Sequence, residues 1–80
     1  MKLKKNIAIS ENGFVFDPTT GESFSVNLIG SEIIHYIQDG KPQEEITTHI
    51  IEKYDVDKQT FERYYFDFIS MLNQYNLIEH

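Results

Sequence analysis

Gly21-Glu22-Ser23-Phe24-Ser25-Val26-Asn27-Leu28-Ile29-Gly30 is the stretch on which the rest of the chain turns. Phe24 and Val26 point to one side and Ser23 and Ser25 to the other, the period of a half-buried strand over Glu22–Val26. Asn27 then suits a helix N-cap, because its side-chain oxygen can accept a hydrogen bond from a free N–H of the first turn. Before this junction the chain reads as short strands, and after it as helices.

Working back, Asn6–Ser10 reads as a first strand with Ile7 and Ile9 on one face. Asn12-Gly13 predicts a type I′ hairpin turn, whose two central residues need positive φ. Phe14–Asp17 is a second strand with Phe14 and Phe16 on one face and Val15 on the other. Apolar residues on both faces make it the central strand. Asp17-Pro18-Thr19-Thr20-Gly21 is a turn, with Pro18 at its first corner and Gly21 closing it. The strands form an antiparallel meander, and Glu22–Val26, third in line, is an outer strand with one unpaired edge.

Working forward, the first helix spans about Leu28–Gln38. Ile29, Ile33, Tyr36 and Ile37 share one arc, with Ile34 at its border and Glu32, His35 and Asp39 opposite. Gly30 lies inside it at a cost of ~1 kcal/mol against alanine, which predicts close approach of another backbone; Gly40 ends it. Pro42 fits the first turn of a second helix. Glu44 and Glu45 suit its positive end, and Ile46, Ile50, Ile51 and Tyr54 form its apolar stripe. Val56 turns back to the core and Asp57 caps a third helix, about Lys58–Tyr75. Its Phe61, Tyr64, Tyr65, Phe68, Ile69, Met71, Leu72 and Tyr75 span roughly 160°, wider than the roughly 100° that one core requires. Phe66 falls outside that arc. Asn76 can take a left-handed conformation, after which Leu77 and Ile78 close the core. The fold class is α+β, winged-helix-like: a three-stranded antiparallel meander followed by three helices, one domain over 1–80, with residues 1–5 and His80 expected as unordered ends.

With 80 residues the core is small, and six Phe and five Tyr carry much of it. A net charge of −6 argues against nucleic acid and against an anionic membrane, since both need a basic face. The absence of cysteine excludes disulfides and thiolate chemistry. No apolar run nears the ~18 residues of a membrane span, and MKLKKNIAIS has no signal-peptide apolar region; a cytoplasmic protein is expected. His35, His49 and His80 are scattered and read as surface histidines, so no metal and no cofactor is expected. There is no nucleophile elbow and no phosphate loop, and the carboxylates at Glu44-Glu45 and at Asp55 and Asp57 sit at helix starts. Catalysis is not expected. A duplex-reading third helix would use Lys58, Gln59 and Arg63, which Glu62 and Asp67 counter. Peptide binding rests on the open strand edge beside an over-wide aromatic helix. From pattern alone it stands level with a solvated edge and aromatics that only seal the core.

Several pieces in order resemble the PqqD-like family, the peptide chaperones of pyrroloquinoline quinone biosynthesis and, more widely, the recognition elements for ribosomally made, post-translationally modified peptides. They are Gly13-Phe-Val-Phe-Asp17, Gly21 with Phe24, Asn27-x-x-Gly30, Ile33-Ile34 with Ile37, Gly40, Glu45-Ile46 with Ile50, Tyr54-x-Val56, Phe68-Ile69-x-x-Leu72 and Leu77-Ile78. Tyr64-Tyr65 stand where the family has an Asp-Val pair, and Asn76 where it has Gly. The resemblance implies a non-catalytic adaptor that binds the leader of a precursor peptide and presents it to a modifying enzyme, a radical S-adenosylmethionine enzyme in many members. It implies that the leader adds as a strand to Glu22, Ser23, Phe24, Ser25 and Val26, beside Phe61, Tyr64, Tyr65 and Phe68. Lys58 and Arg63 are candidates to meet acidic leader residues. The alternatives are a winged-helix DNA-binding protein and a subunit that forms a homodimer through the same edge.

Overall fold

The computed structural model describes residues 2–79. Eight elements follow in order: β1 (Lys2–Leu3), β2 (Ala8–Ile9), β3 (Phe14–Asp17), β4 (Glu22–Ser25), α1 (Leu28–Gln38), α2 (Gln43–Tyr54), α3 (Lys58–Gln74) and β5 (Ile78–Glu79). The meander β2-β3-β4 is antiparallel with β3 central, as the two-sided apolar pattern of Phe14–Asp17 implies. A second, two-stranded sheet pairs β1 with β5, Lys2 opposite Glu79 and Leu3 opposite Ile78. The expected disorder of residues 1–5 is therefore corrected for the described residues 2–5. Leu3 is buried in the core, and the Lys4 N–H extends the pairing to the Leu77 carbonyl at 2.9 Å. Met1 and His80 lie outside the described residues.

The register of the meander decides which face is the core. Val15 stands opposite Ile9 and Phe24, and with Asp17 it is buried. Phe14 and Phe16 stand on the other face and remain 49% and 38% exposed. The single valine, not the pair of phenylalanines, faces the helices. The β2–β3 turn also differs from the type I′ expectation. The Gly13 N–H donates to the Ser10 carbonyl, the Ser10 N–H to the Phe14 carbonyl, and only Gly13 of the turn has positive φ. This is a longer turn with a glycine bulge. A Cβ on Gly13 would also stand 2.7 Å from the Val26 carbonyl oxygen, so geometry and space both demand glycine.

Asn27 caps α1 as expected, its Oδ1 accepting from the Gly30 N–H at 2.8 Å. What crowds Gly30 is not backbone but the Phe68 ring of α3. A Cβ there would lie 2.9 Å from that ring and 3.1 Å from Asn27 Oδ1. Ile33, Ile34 and Ile37 of α1, Ile46 and Ile50 of α2, and Phe61, Tyr65, Phe68 and Leu72 of α3 form the core, closed by Leu77 and Ile78. Pro42 precedes α2 as its N-cap rather than entering its first turn. Asp55 ends that helix in a left-handed conformation (φ 51°), and Asn76 does the same after α3 (φ 60°).

Glu32, on the less buried side of α1, is a clamp to α2: its carboxylate accepts from the Lys53 ammonium and the Tyr54 hydroxyl. Burial by itself pushes the Glu32 carboxyl up, but the hydrogen bonds from Lys53 and Tyr54 and the charge of Lys53 outweigh it, and the net direction is down. Its hydrogen bonds push the Lys53 ammonium and the Tyr54 phenol up.

Two predictions follow from these packings. In Gly30→Ala the gain of about 1 kcal/mol in helix propensity is set against about 1–3 kcal/mol of overpacking on a buried ring. A lower urea midpoint at unchanged slope is expected, and a higher midpoint would contradict the crowding. A depressed carboxyl stabilises the fold above its unfolded value, here 4.5, and that contribution is lost as pH falls through the folded value. The difference in melting temperature between the protein and Glu32→Gln is therefore expected to be largest at neutral pH and to close as the pH falls below 4.5.

Candidate functional site

The hydrogen-bond parity of β4 decides what its edge can do. The Val26 N–H donates to the Gly13 carbonyl at 2.8 Å, and the same register puts Val15 opposite Phe24. In an antiparallel ladder hydrogen-bonded pairs alternate, so Phe24 spends its backbone groups on β3. The N–H and C=O groups of Ser23 and Ser25 point the other way, to the edge that no other strand of the meander covers.

α3 runs antiparallel alongside that strand. The Tyr64 hydroxyl donates to Asn27 Oδ1 at 3.0 Å, just past the end of β4. One turn on, Phe68 stacks on Tyr64 with ring centres 6.1 Å apart and abuts Gly30. Two turns further, Tyr75 stacks on Phe24 at 5.0 Å and 22°. Tyr64, Phe68, Met71 and Tyr75 recur at i, i+4, i+7 and i+11 and form one stripe. The site is thus a strip of open backbone at Ser23 and Ser25, flanked by an aromatic wall. The Phe24–Tyr75 stack bridges wall and strand.

The structure distributes the expected site residues over four places. Glu22 to Val26, Tyr64 and Phe68 come together at this edge, although Phe68 is buried and offers little surface. Phe61 and Tyr65 point into the core, at 3% and 4% exposure. Lys58 lines a cleft of about 950 Å³ between α2 and α3, with Thr47, Glu52 and Glu62, on another side of α3. Arg63 is exposed. Tyr75, 47% exposed, joins the site though it was expected only as part of the apolar arc, and Asn27 joins it beyond its role as a cap. The signal for Tyr75 in the sequence is the i, i+4, i+7, i+11 spacing from Tyr64. Among the described residues no group of histidine, aspartate and glutamate side chains could hold a metal ion, and no helix is long and apolar enough to cross a membrane.

The order of the pieces from the glycine bulge at Gly13 to the closing Leu77-Ile78 is that of a known family. The model of coenzyme PQQ synthesis protein D (PqqD) matches residues 13–78. The chain belongs to the PqqD family. Among solved structures, TbiB1 in complex with the TbiA(beta) leader peptide is 32% identical, covers 99% of this chain and 95% of its own, and superposes with a TM-score of 0.88. Lasso peptide synthetase B1, solved with a leader peptide, has the same fold at 18% identity and a TM-score of 0.83, covering 95% of this chain and 93% of its own. No curated protein matches the chain. Within α3 the adjacent tyrosines, which depart from the family's Asp-Val pair, divide between edge and core. Tyr64 is satisfied at the edge, while Tyr65 is buried with its hydroxyl unpartnered and its phenol pushed up by burial.

Because an unmade buried hydrogen bond costs about 1–3 kcal/mol, Tyr65→Phe is expected to leave stability unchanged or raise it by up to about 1 kcal/mol. Urea unfolding checks this, and a clear loss would show that the hydroxyl has a partner.

Proposed function

We propose that this protein is a non-catalytic adaptor: it binds the leader of a ribosomally made precursor peptide as a strand added to β4 and presents it to a modifying enzyme. The observation that carries the reading is the open backbone of Ser23 and Ser25 beside the aromatic stripe of α3. An extended peptide there gains main-chain hydrogen bonds from the edge, and the alternate side chains that face α3 meet Phe24, Tyr64 and Tyr75. Membership of the PqqD family supports the reading, and so does the likeness to TbiB1, which is solved with a leader bound. Binding needs the Phe24–Tyr75 stack to shift or to be extended by the guest, a side-chain movement and not a change of fold.

The modifying enzyme that the family resemblance suggests is a radical S-adenosylmethionine enzyme, and the meeting takes place in the cytoplasm, where precursors are made. Lys58 and Arg63, which lie off the stripe, serve the flanking parts of the leader or the enzyme and not the strand itself. A second copy of the chain would compete for the same edge, so a homodimer and the peptide complex exclude each other there. The duplex-binding reading finds no favour in α3, whose basic residues are interleaved with Glu62 and Asp67 and whose most exposed large hydrophobic side chain is Phe66.

The test uses proline where the ladder does not need an N–H. Proline is tolerated on an edge strand when its missing N–H faces outward, so Ser23→Pro and Ser25→Pro are expected to fold. The tagged protein, recovered from its own cells with short peptides retained for mass spectrometry, is expected to carry a small ribosomal precursor. Either proline variant is expected to lose it. Equal recovery of that peptide by both folded variants would end the strand-addition mechanism.

A further inference from the structure

The outer face of the meander carries two cross-strand rows. In one, Ala8, Phe16 and Ser23 stand side by side; in the other, Ser10, Phe14 and Ser25 follow from the same registers. Each phenylalanine is flanked by a small residue on either side and stays partly uncovered, at 38% and 49% exposure. Both rows end at the residues whose backbone groups form the open edge. Any strand that hydrogen-bonds to Ser23 and Ser25 must extend these two rows, because paired residues of neighbouring strands point to the same face.

Resting on the strand-addition reading above, we propose that the bound peptide is read on both faces of its strand. Two of its side chains, two positions apart, lie across Ser23 and Ser25 onto the rings of Phe16 and Phe14, while the residue between them faces Phe24 and α3. Strands are spaced about 4.8 Å apart, so the guest backbone runs about 10 Å from β3. Over that distance a Leu, Met, Phe or Tyr on the guest meets an outward-leaning phenylalanine, and an Ala or Ser does not. The serines are what make the contact possible, since larger residues at 23 and 25 would fill the space. The ligand class is therefore a segment with large apolar residues at three consecutive positions, unlike a one-sided amphipathic strand that would fill the α3 groove alone.

The probe is a displayed library of random twelve-residue peptides, selected on the intact protein, on Phe14→Thr/Phe16→Thr and on Ser25→Pro. Threonine keeps strand propensity at the exposed positions, and circular dichroism reports the fold. Peptides selected on the wild-type protein are expected to share three consecutive large apolar residues. On the double threonine variant the outer two preferences are expected to vanish while the middle one persists. A wild-type-selected peptide should bind that variant about tenfold more weakly, the effect of losing part of two apolar contacts. Wild-type selection of a single large apolar position between two unrestricted ones overturns the two-faced reading and leaves strand addition standing. That selection decides alone if the double variant does not fold. Equal recovery on Ser25→Pro, or no peptide at all, overturns strand addition and the two-faced reading with it.

Discussion

A single oxygen, Oδ1 of Asn27, holds the working parts of this fold in relation to one another. It accepts from the Gly30 N–H and so starts α1, and it accepts from the Tyr64 hydroxyl and so ties α3 to the end of β4. The missing side chain at Gly30 lets the Phe68 ring come against the same turn. Strand, first helix and third helix thus meet at one polar atom and one aromatic edge. Such a cap contributes about 1 kcal/mol as a helix start. Its structural effect is larger, because the distance between the open edge of β4 and the stripe of α3 depends on it.

Much of this was legible because the periods were clean. Glu22–Val26 alternates, Asn27 is a cap by type, and the helices carry their apolar stripes at the expected spacing. The central place of β3 could be read from its two apolar faces, but not which face is inside. Phe14, Val15 and Phe16 satisfy both assignments, and only the register with Ile9 and Phe24 buries Val15. The turn at Ser10–Gly13 misleads for a similar reason: Asn-Gly suits a two-residue loop, yet the Gly13 carbonyl is already committed to Val26. The pairing of β1 with β5 has no local signal at all, since two-residue strands have no period. It follows from Leu3 and Ile78 finding the same core.

The site was legible as a surface and less so as a set of residues. The open strand and the over-wide aromatic helix pointed to the edge of β4 beside α3, and the family resemblance pointed to the same place. Which aromatic residues are buried there was set by the helix rotation, and an arc of roughly 160° leaves that rotation undetermined. Asn27 and the Phe24–Tyr75 stack settle it: Tyr64 and Tyr75 face the strand, and Phe61 and Tyr65 face inward. Lys58 was chosen for its charge, which carries no information about direction, and it lies in the cleft beside α2.

The small sheet of β1 and β5 places Lys2 beside Glu79. It packs at the far end of α1, where Leu3 and the lysines around it adjoin Ile37 to Gly40. Eleven residues of helix separate that corner from the Asn27 joint, a distance of about 16 Å. Lys2 and Glu79 therefore share one corner, a helix length from the Asn27 joint but only a few residues beyond Tyr75, which stacks on Phe24. The two short strands thus act as a clasp: the pairing that closes the core behind α3 also fixes the turn from which Tyr75 reaches the strand.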